Sequence, residues 1–186
     1  ASENPQAPVR YAHQPTPGIA AGRNLALEES ADIDLLVYFD DDERPAPGWL
    51  EALLATYVSE RCAAVVGPVI SEFSHDPEPW IMEGGFFNRR RLPTGTLVTV
   101  AATNNLLLDL HVIRRLGLTF DLDFGLSGGS DTLFTRALHL AGERMVWCDE
   151  AVVYDAVPGE RITRTWVARR ALPSGTSWSA TSLRLA

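Results

Sequence analysis

The sequence predicts an α/β chain with a mixed, mainly parallel sheet flanked by helices, and three observations carry that expectation. A β-prone apolar run, Leu35-Leu36-Val37-Tyr38-Phe39, ends in Asp40-Asp41-Asp42-Glu43, after which Pro45, Pro47 and Gly48 turn the chain. Trp49, Leu50, Leu53, Leu54 and Tyr57 then recur with helical spacing, and a second apolar run from Cys62 to Gly67 completes a right-handed strand, helix, strand unit. Farther along, Gly125, Gly128 and Gly129 loosen a loop that delivers Ser130 and Asp131 to the start of a helix with Leu133, Phe134, Ala137, Leu138 and Ala141 on one face.

Composition bounds the rest. With 186 residues, 46% hydrophobic and 22% charged, the chain is long enough for one domain with a sizeable core. A net charge of −8 excludes broad nucleic-acid binding through phosphates. No apolar run nears the roughly 20 residues that span a bilayer, and the start Ala1-Ser2-Glu3-Asn4-Pro5 is no signal peptide, so a cytoplasmic protein is expected. Two cysteines, Cys62 and Cys148, both in apolar runs, are too few for a disulfide framework or a cysteine zinc site.

In chain order, residues 1–18 hold four prolines and one short extended stretch, Val9 to Ala12, which reads as a loop with an edge strand. Ile19 to Ser30 is rich in Ala and Leu and reads as a helix that begins near Thr16 or Gly18 and carries Arg23. Arg23 is equally a cation for a phosphate and a surface arginine. The strand ending at Phe39 is expected to be buried, and in an open α/β sheet ligands bind beyond the carboxyl ends of strands. Three adjacent carboxylates repel one another unless solvent or a cation relieves them, and hard divalent ions prefer such oxygen ligands. An acidic triplet alone fits a solvated turn as well as a cation site.

Residues 68–93 read as irregular, with Phe73, Trp80, Phe86 and Phe87 among Pro, Gly and the triplet Arg89-Arg90-Arg91, which reads as a solvated basic turn outside the site. Leu97 to Ala102 reads as a strand, Thr103-Asn104-Asn105 interrupts it, and Leu106 to Leu108 resumes. The asparagines either contact a ligand or close a turn. His111 to Leu116 is a short helix ended by Gly117. Asp131 in a first helical turn is either a favourable cap or a general base aimed into a cleft. Strands follow at 144–148 and 150–154, and the basic, aromatic stretch Ile162 to Leu172 reads as a helix stopping near Pro173. Such a helix suits an anionic group, a membrane surface or a partner.

Four blocks stand in the order found in glycosyltransferase family 2. They are Pro17-Gly18-Ile19-Ala20-Ala21-Gly22-Arg23-Asn24; Val37 to Asp42 with Pro47-Gly48-Trp49-Leu50; Gly128-Gly129-Ser130-Asp131-Thr132-Leu133-Phe134; and Val157 to Arg161 with Thr165-Trp166. Over residues 9–172 the chain resembles these inverting, nucleotide-sugar transferases of GT-A, Rossmann-related fold. The resemblance implies that Asp40 and Asp42 are the acids of a DXD motif that holds Mg²⁺ or Mn²⁺, with Asp40 also towards the ribose. It implies that Arg23 lies near the nucleotide and that Asp131 is the catalytic base; beside it, Asp41 is expected next to the metal, and Arg161, Arg164 or Arg169 near the donor diphosphate. Asn104, Asn105, Gly129, Ser130 and Trp166 then belong to the sugar or acceptor side. Ser130 departs from the pattern, where Glu usually precedes the base. The family's opening strand and helix and its base-reading second strand find no counterpart before Val9, so an N-terminally truncated GT-A unit is expected.

One domain over 1–186 follows: an irregular start (1–18), a sugar-nucleotide and metal part (19–67), a long loop (68–95), an acceptor and catalytic part (96–172) and a tail (173–186). The expected partners are a nucleotide-diphosphate sugar donor and a carbohydrate or lipid-linked acceptor, as in polysaccharide biosynthesis. Peripheral association with the inner face of the membrane stays open, and oligomeric state is unreadable. Two rival readings remain: a degenerate, non-catalytic nucleotide- or metal-binding module, and a nucleotidyltransferase.

Overall fold

Side-chain alternation along three short strands explains how this chain builds a core on both faces of one sheet. A computed structural model describes residues 9–125 and 128–185, with side chains 171–178 outside the description. The start 1–8 and loop residues Leu126 and Ser127 therefore lie outside the described residues. The strands are β1 (Leu35–Phe39), β2 (Glu43–Pro45), β3 (Ala64–Val66), β4 (Val69–Phe73), β5 (Leu97–Val98), β6 (Asn105–Asp109), β7 (Met145–Trp147) and β8 (Val153–Val157). The helices are α1 (Ile19–Glu29), α2 (Trp49–Glu60), α3 (Pro79–Gly84), α4 (Leu110–Leu116), α5 (Ser130–Leu140) and α6 (Arg164–Arg184).

Successive strand residues point to opposite faces. Val65, Leu107 and Val146 accordingly pack under α2 with Leu53, Cys62, Cys148 and Ala151. Ala64, Val66, Leu106, Leu108, Met145 and Trp147 pack on the other face with Ala20 of α1, Ile113 of α4, and Phe134 and Leu138 of α5. Three layers result, helix, sheet and helix. Both cysteines are free and buried.

The main sheet runs β1-β6-β3-β7-β5, and a second sheet runs β2-β8-β4. β1 and β3 each pair antiparallel with β6, and β3 pairs parallel with β7. The sheet is mixed as expected, but its parallel character lies in the shared direction of β1, β3 and β7 more than in hydrogen-bonded neighbours. α2 carries the chain from β1 past one strand position, and β6 later fills that gap in the opposite sense. Phe39 at the end of β1 therefore faces Asn105 at the start of β6. The turn before β6 thus emerges at the same sheet end as the acidic turn after β1.

Four local expectations change. Residues 9–15 form no strand, and Val9 and Tyr11 are exposed. β1 is an edge strand of its sheet, with a neighbour on one side, so it is half-buried and Phe39 is 47% exposed. The stretch 68–95 contains β4, which pairs in parallel with β8, and α3, which starts with Pro79 in its first turn. α6 passes Pro173 and continues to Arg184, so residues 173–184 belong to a helix. A proline removes one ladder hydrogen bond, and here the helix tolerates that loss. Among the described residues, no helix is long and apolar enough to cross a membrane.

Candidate functional site

Two turns at one end of the main sheet and the start of α5 enclose a cavity of about 640 Å³. Asp40 and Asp42 from the turn after β1, Asn104 from the turn before β6, and Gly129, Ser130 and Asp131 at the start of α5 all line it. Arg23 from α1 and Arg161, just before α6, complete its wall. Asp131 and the acidic turn, distant in sequence, thus face one space. Gly129 stands at φ 93, a left-handed conformation that glycine adopts without strain, and it lets the chain enter α5 with Ser130 inward.

Arg23 is the most firmly held of these groups. Its Nη1 donates to Ser130 Oγ at 2.8 Å, and its guanidinium lies over the Phe120 ring, 5.5 Å from the centroid. The Tyr38 hydroxyl donates to its backbone carbonyl at 2.7 Å. Burial pushes the Arg23 guanidinium below its ordinary value, and the charge of Asp131, then of Asp40, opposes that push. Ser130 is buried and takes one of five guanidinium donors without adding charge. The departure from the family pattern therefore leaves the full positive charge of Arg23 facing the carboxylates.

The acidic turn carries an internal prop. Glu43 is 9% exposed; its Oε2 accepts from the Asp40 amide at 3.2 Å and its Oε1 from Asn104 Nδ2 at 3.0 Å. Across the β2–β8 pair Glu43 faces Asp155, whose Oδ2 accepts from Arg89 at 2.6 Å. Burial pushes Glu43 up to about 7, with the bond from the Asp40 amide opposing and the Asp40 charge adding. Asp40 is also raised, first by burial, against the pull of Arg23, and then by its like-charged neighbours Asp42, Asp155 and Asp41.

Among the described residues no three His, Cys, Asp or Glu side chains form a ready metal cage. Two carboxylates are nevertheless what Mg²⁺ commonly takes from protein when phosphates complete its shell, and Asp40 and Asp42 both reach this cavity. The mutual repulsion that raises Asp40 is what a cation would relieve. Asp42 meets Arg161 only at 3.8 Å, with both side chains about half exposed, so that pair does not close the turn to a cation. The donor set fits a hard divalent ion.

Several sequence expectations stand differently. Asn105 is 1% exposed; its Nδ2 donates to the carbonyls of Pro68 (3.0 Å) and Ala151 (2.7 Å), and its Oδ1 accepts from Trp49 Nε1 (2.9 Å). Both of its N–H groups are spent inside the fold, and it is buried off the cavity wall. Trp166 does not line the cavity and stacks on Phe87, 5.6 Å between centroids at 11°. Asp41 is exposed and does not line the cavity. The arginine triplet is not one solvated turn: Arg89 binds Asp155 on the cavity wall, Arg90 lies over Trp147, and Arg91 binds Asp149. Glu43, Arg89, Thr103 and Asp155 line the cavity and were not picked out from sequence. A signal existed for Asp155, which shares the inward phase of Val153 and Val157 along β8.

Comparison with known proteins bears on the family and the fold. The chain is 34% identical over 167 residues to the succinoglycan biosynthesis protein ExoM of Rhizobium meliloti (strain 1021), covering 90% of this chain and 54% of that protein. It thus spans about half of that relative's length. Among solved structures it superposes on S. aureus TarS 1-349 in complex with UDP, with a TM-score of 0.54, 16% identity, and 75% and 40% of the two chains covered. It also superposes on GalNAc-T7 with UDP, GalNAc and Mn²⁺, with a TM-score of 0.56, 14% identity, and 75% and 30% covered. Both share its fold. The profile of the family described as "Glycosyl transferase family 2" matches residues 3–116, a span that includes Arg23, the acidic turn and the turn before β6. With that match over more than half its length, the chain belongs to glycosyl transferase family 2.

Proposed function

We propose that this chain moves a sugar from a nucleoside-diphosphate donor to a hydroxyl acceptor, with inversion at the anomeric carbon and dependence on a divalent cation. The observation that carries the reading is the meeting of the Asp40–Asp42 turn and Asp131 on one cavity. Asp40 and Asp42 would hold Mg²⁺ or Mn²⁺, whose Lewis acidity eases departure of the diphosphate. Arg161, half exposed beside Asp42, adds positive charge where the leaving group develops its negative charge. Asp131 takes the proton of the acceptor hydroxyl. The hydroxyl oxygen bonds to the anomeric carbon as the bond from that carbon to the diphosphate oxygen breaks, so one displacement inverts the centre. Asn104 and Gly129 edge the acceptor side, and Arg23 holds charge balance between the two acidic spots.

UDP in the TarS and GalNAc-T7 structures makes UDP-sugars the first donors to test, and the succinoglycan biosynthesis role of ExoM makes carbohydrate the first acceptor class. The test pairs calorimetry of UDP with and without Mn²⁺ against transfer measured as UDP release from a UDP-sugar panel. Asp131→Asn is expected to abolish transfer and to keep Mn²⁺-dependent UDP binding within about threefold of the parent. Transfer by that variant at a near-parental rate refutes the base; a parent protein with no metal-dependent nucleotide binding refutes the transferase.

A further inference from the structure

Among the described residues, the wall of the cavity holds one buried hydroxyl that the fold leaves unused. Thr103 is 2% exposed, and its Oγ1 has no hydrogen-bond partner among the described residues. A buried hydroxyl without a partner is a rarity that calls for a reason, because its desolvation goes uncompensated. The neighbours that share its turn are committed elsewhere. Asn104 Nδ2 donates to Glu43, Asn105 is spent on Trp49, Pro68 and Ala151, and Thr135 Oγ1 serves Ala101. Thr103 also stands where the main cavity adjoins a second recess of about 290 Å³. Both spaces share Ile19, Arg23, Asp40 and Thr103 as walls, and the recess continues along Gly22, Ala26, Tyr38 and Phe39.

We propose that Thr103 is a ligand-binding residue whose hydroxyl, unpaired in the free protein, hydrogen-bonds a sugar hydroxyl of the nucleotide-sugar donor. The assignment rests on the donor reading above. A sugar hydroxyl suits the position better than a phosphate oxygen. The Asp40 carboxylate stands on the same wall and accepts a hydroxyl proton, while Thr103 offers the complementary bond. Two hydroxyl sources exist on such a donor, the ribose and the transferred sugar, and the two adjoining spaces admit either.

Thr103→Val keeps the branched shape and deletes only the polar atom, so it separates a ligand contact from a structural one by the signs of two effects. In the free protein the variant is expected to gain stability, with the Tm rising by a few degrees, because an uncompensated buried group is gone. Its affinity by calorimetry in Mn²⁺ is expected to fall about 5- to 20-fold, as the loss of one hydrogen bond to a ligand implies. UDP, 2′-deoxy-UDP and UDP-GlcNAc are the probes. Weakening already seen with UDP and absent with 2′-deoxy-UDP places the contact at the ribose 2′-hydroxyl. Weakening seen with UDP-GlcNAc alone places it at the transferred sugar. Thr103→Ser, which retains the hydroxyl, is expected to bind within about twofold of the parent. A lowered Tm of the free Thr103→Val protein, or unchanged affinity for UDP and UDP-GlcNAc, overturns the assignment while the donor reading stands. A parent protein that binds none of the probes overturns both.

Discussion

Replacing Glu43 by Gln tests whether the acidic turn works against the fold at neutral pH. The side chain is buried beside Asp40 and opposite Asp155, and its carboxyl is pushed from an ordinary 4.5 up to about 7. The folded chain therefore favours the uncharged form. This carboxyl adds stability that is fully present below about pH 4.5 and is lost as pH rises through about 7. At about 1.4 kcal/mol per pH unit, the span from 4.5 to about 7 gives an upper figure of about 3.5 kcal/mol. Water at the cavity mouth screens this to about 2 kcal/mol. Glutamine copies the uncharged state. Its Oε1 accepts from the Asp40 amide, and its Nε2 donates to Asn104 once that amide turns over. Glu43→Gln should lie within about 0.5 kcal/mol of the parent at pH 5 and exceed it by about 2 kcal/mol at pH 8, or about 4–8 °C in Tm. Urea unfolding of both proteins at pH 5, 6, 7 and 8, with chelator present, reads the difference directly and cancels the titrating groups that do not face Glu43. A difference constant across that range, or a less stable variant at pH 8, refutes the reasoning.

Two further outcomes follow from the same contacts. Asn105→Ala strips partners from Trp49 Nε1 and from the carbonyls of Pro68 and Ala151, and should cost about 3 kcal/mol or more in urea unfolding. UDP affinity of the folded fraction should stay as in the parent, whereas a substrate-contacting Asn105 would lose affinity first. Ser130→Ala releases Arg23 from its 2.8 Å anchor and should lower kcat by about tenfold with KM for the UDP-sugar within about twofold; a rise in KM with kcat unchanged would make Arg23 a donor-binding group instead.

How much of this was readable in advance depends on whether a residue's role is local. The acidic turn is local: an apolar run must stop at consecutive charges, and Pro45, Pro47 and Gly48 mark the stop. Asp131 was readable for the same reason, since glycines before an acid at a helix start are a chain-neighbour pattern. Glu43 was hidden as one more acid in a run, because its part in the site depends on the β2–β8 register and on Asn104. Of the adjacent asparagines, pattern alone favoured neither. Strand phase decides between them: Asn105 shares the face of Leu107, under α2 and Trp49, and Asn104 falls in the turn before it. The insertion of β6 between β1 and β3 escaped a reading built on one strand, helix, strand unit, because only long-range pairing fills the skipped position.

The Asn105 amide has a mechanical consequence as well. It ties the start of β6 to α2 through Trp49, to the link between β3 and β4 through Pro68, and to the approach to β8 through Ala151. The neighbouring glycine is held to the same junction: Gly67 N donates to the Asn105 carbonyl, and a Cβ at Gly67 would collide with Ala151 O and Asn105 Nδ2 at 2.3 Å. Segments joined through one desolvated knot cannot fray one at a time. The back of the cleft therefore breathes only when the whole domain opens, and any motion that admits a ligand must come from the front of the cleft.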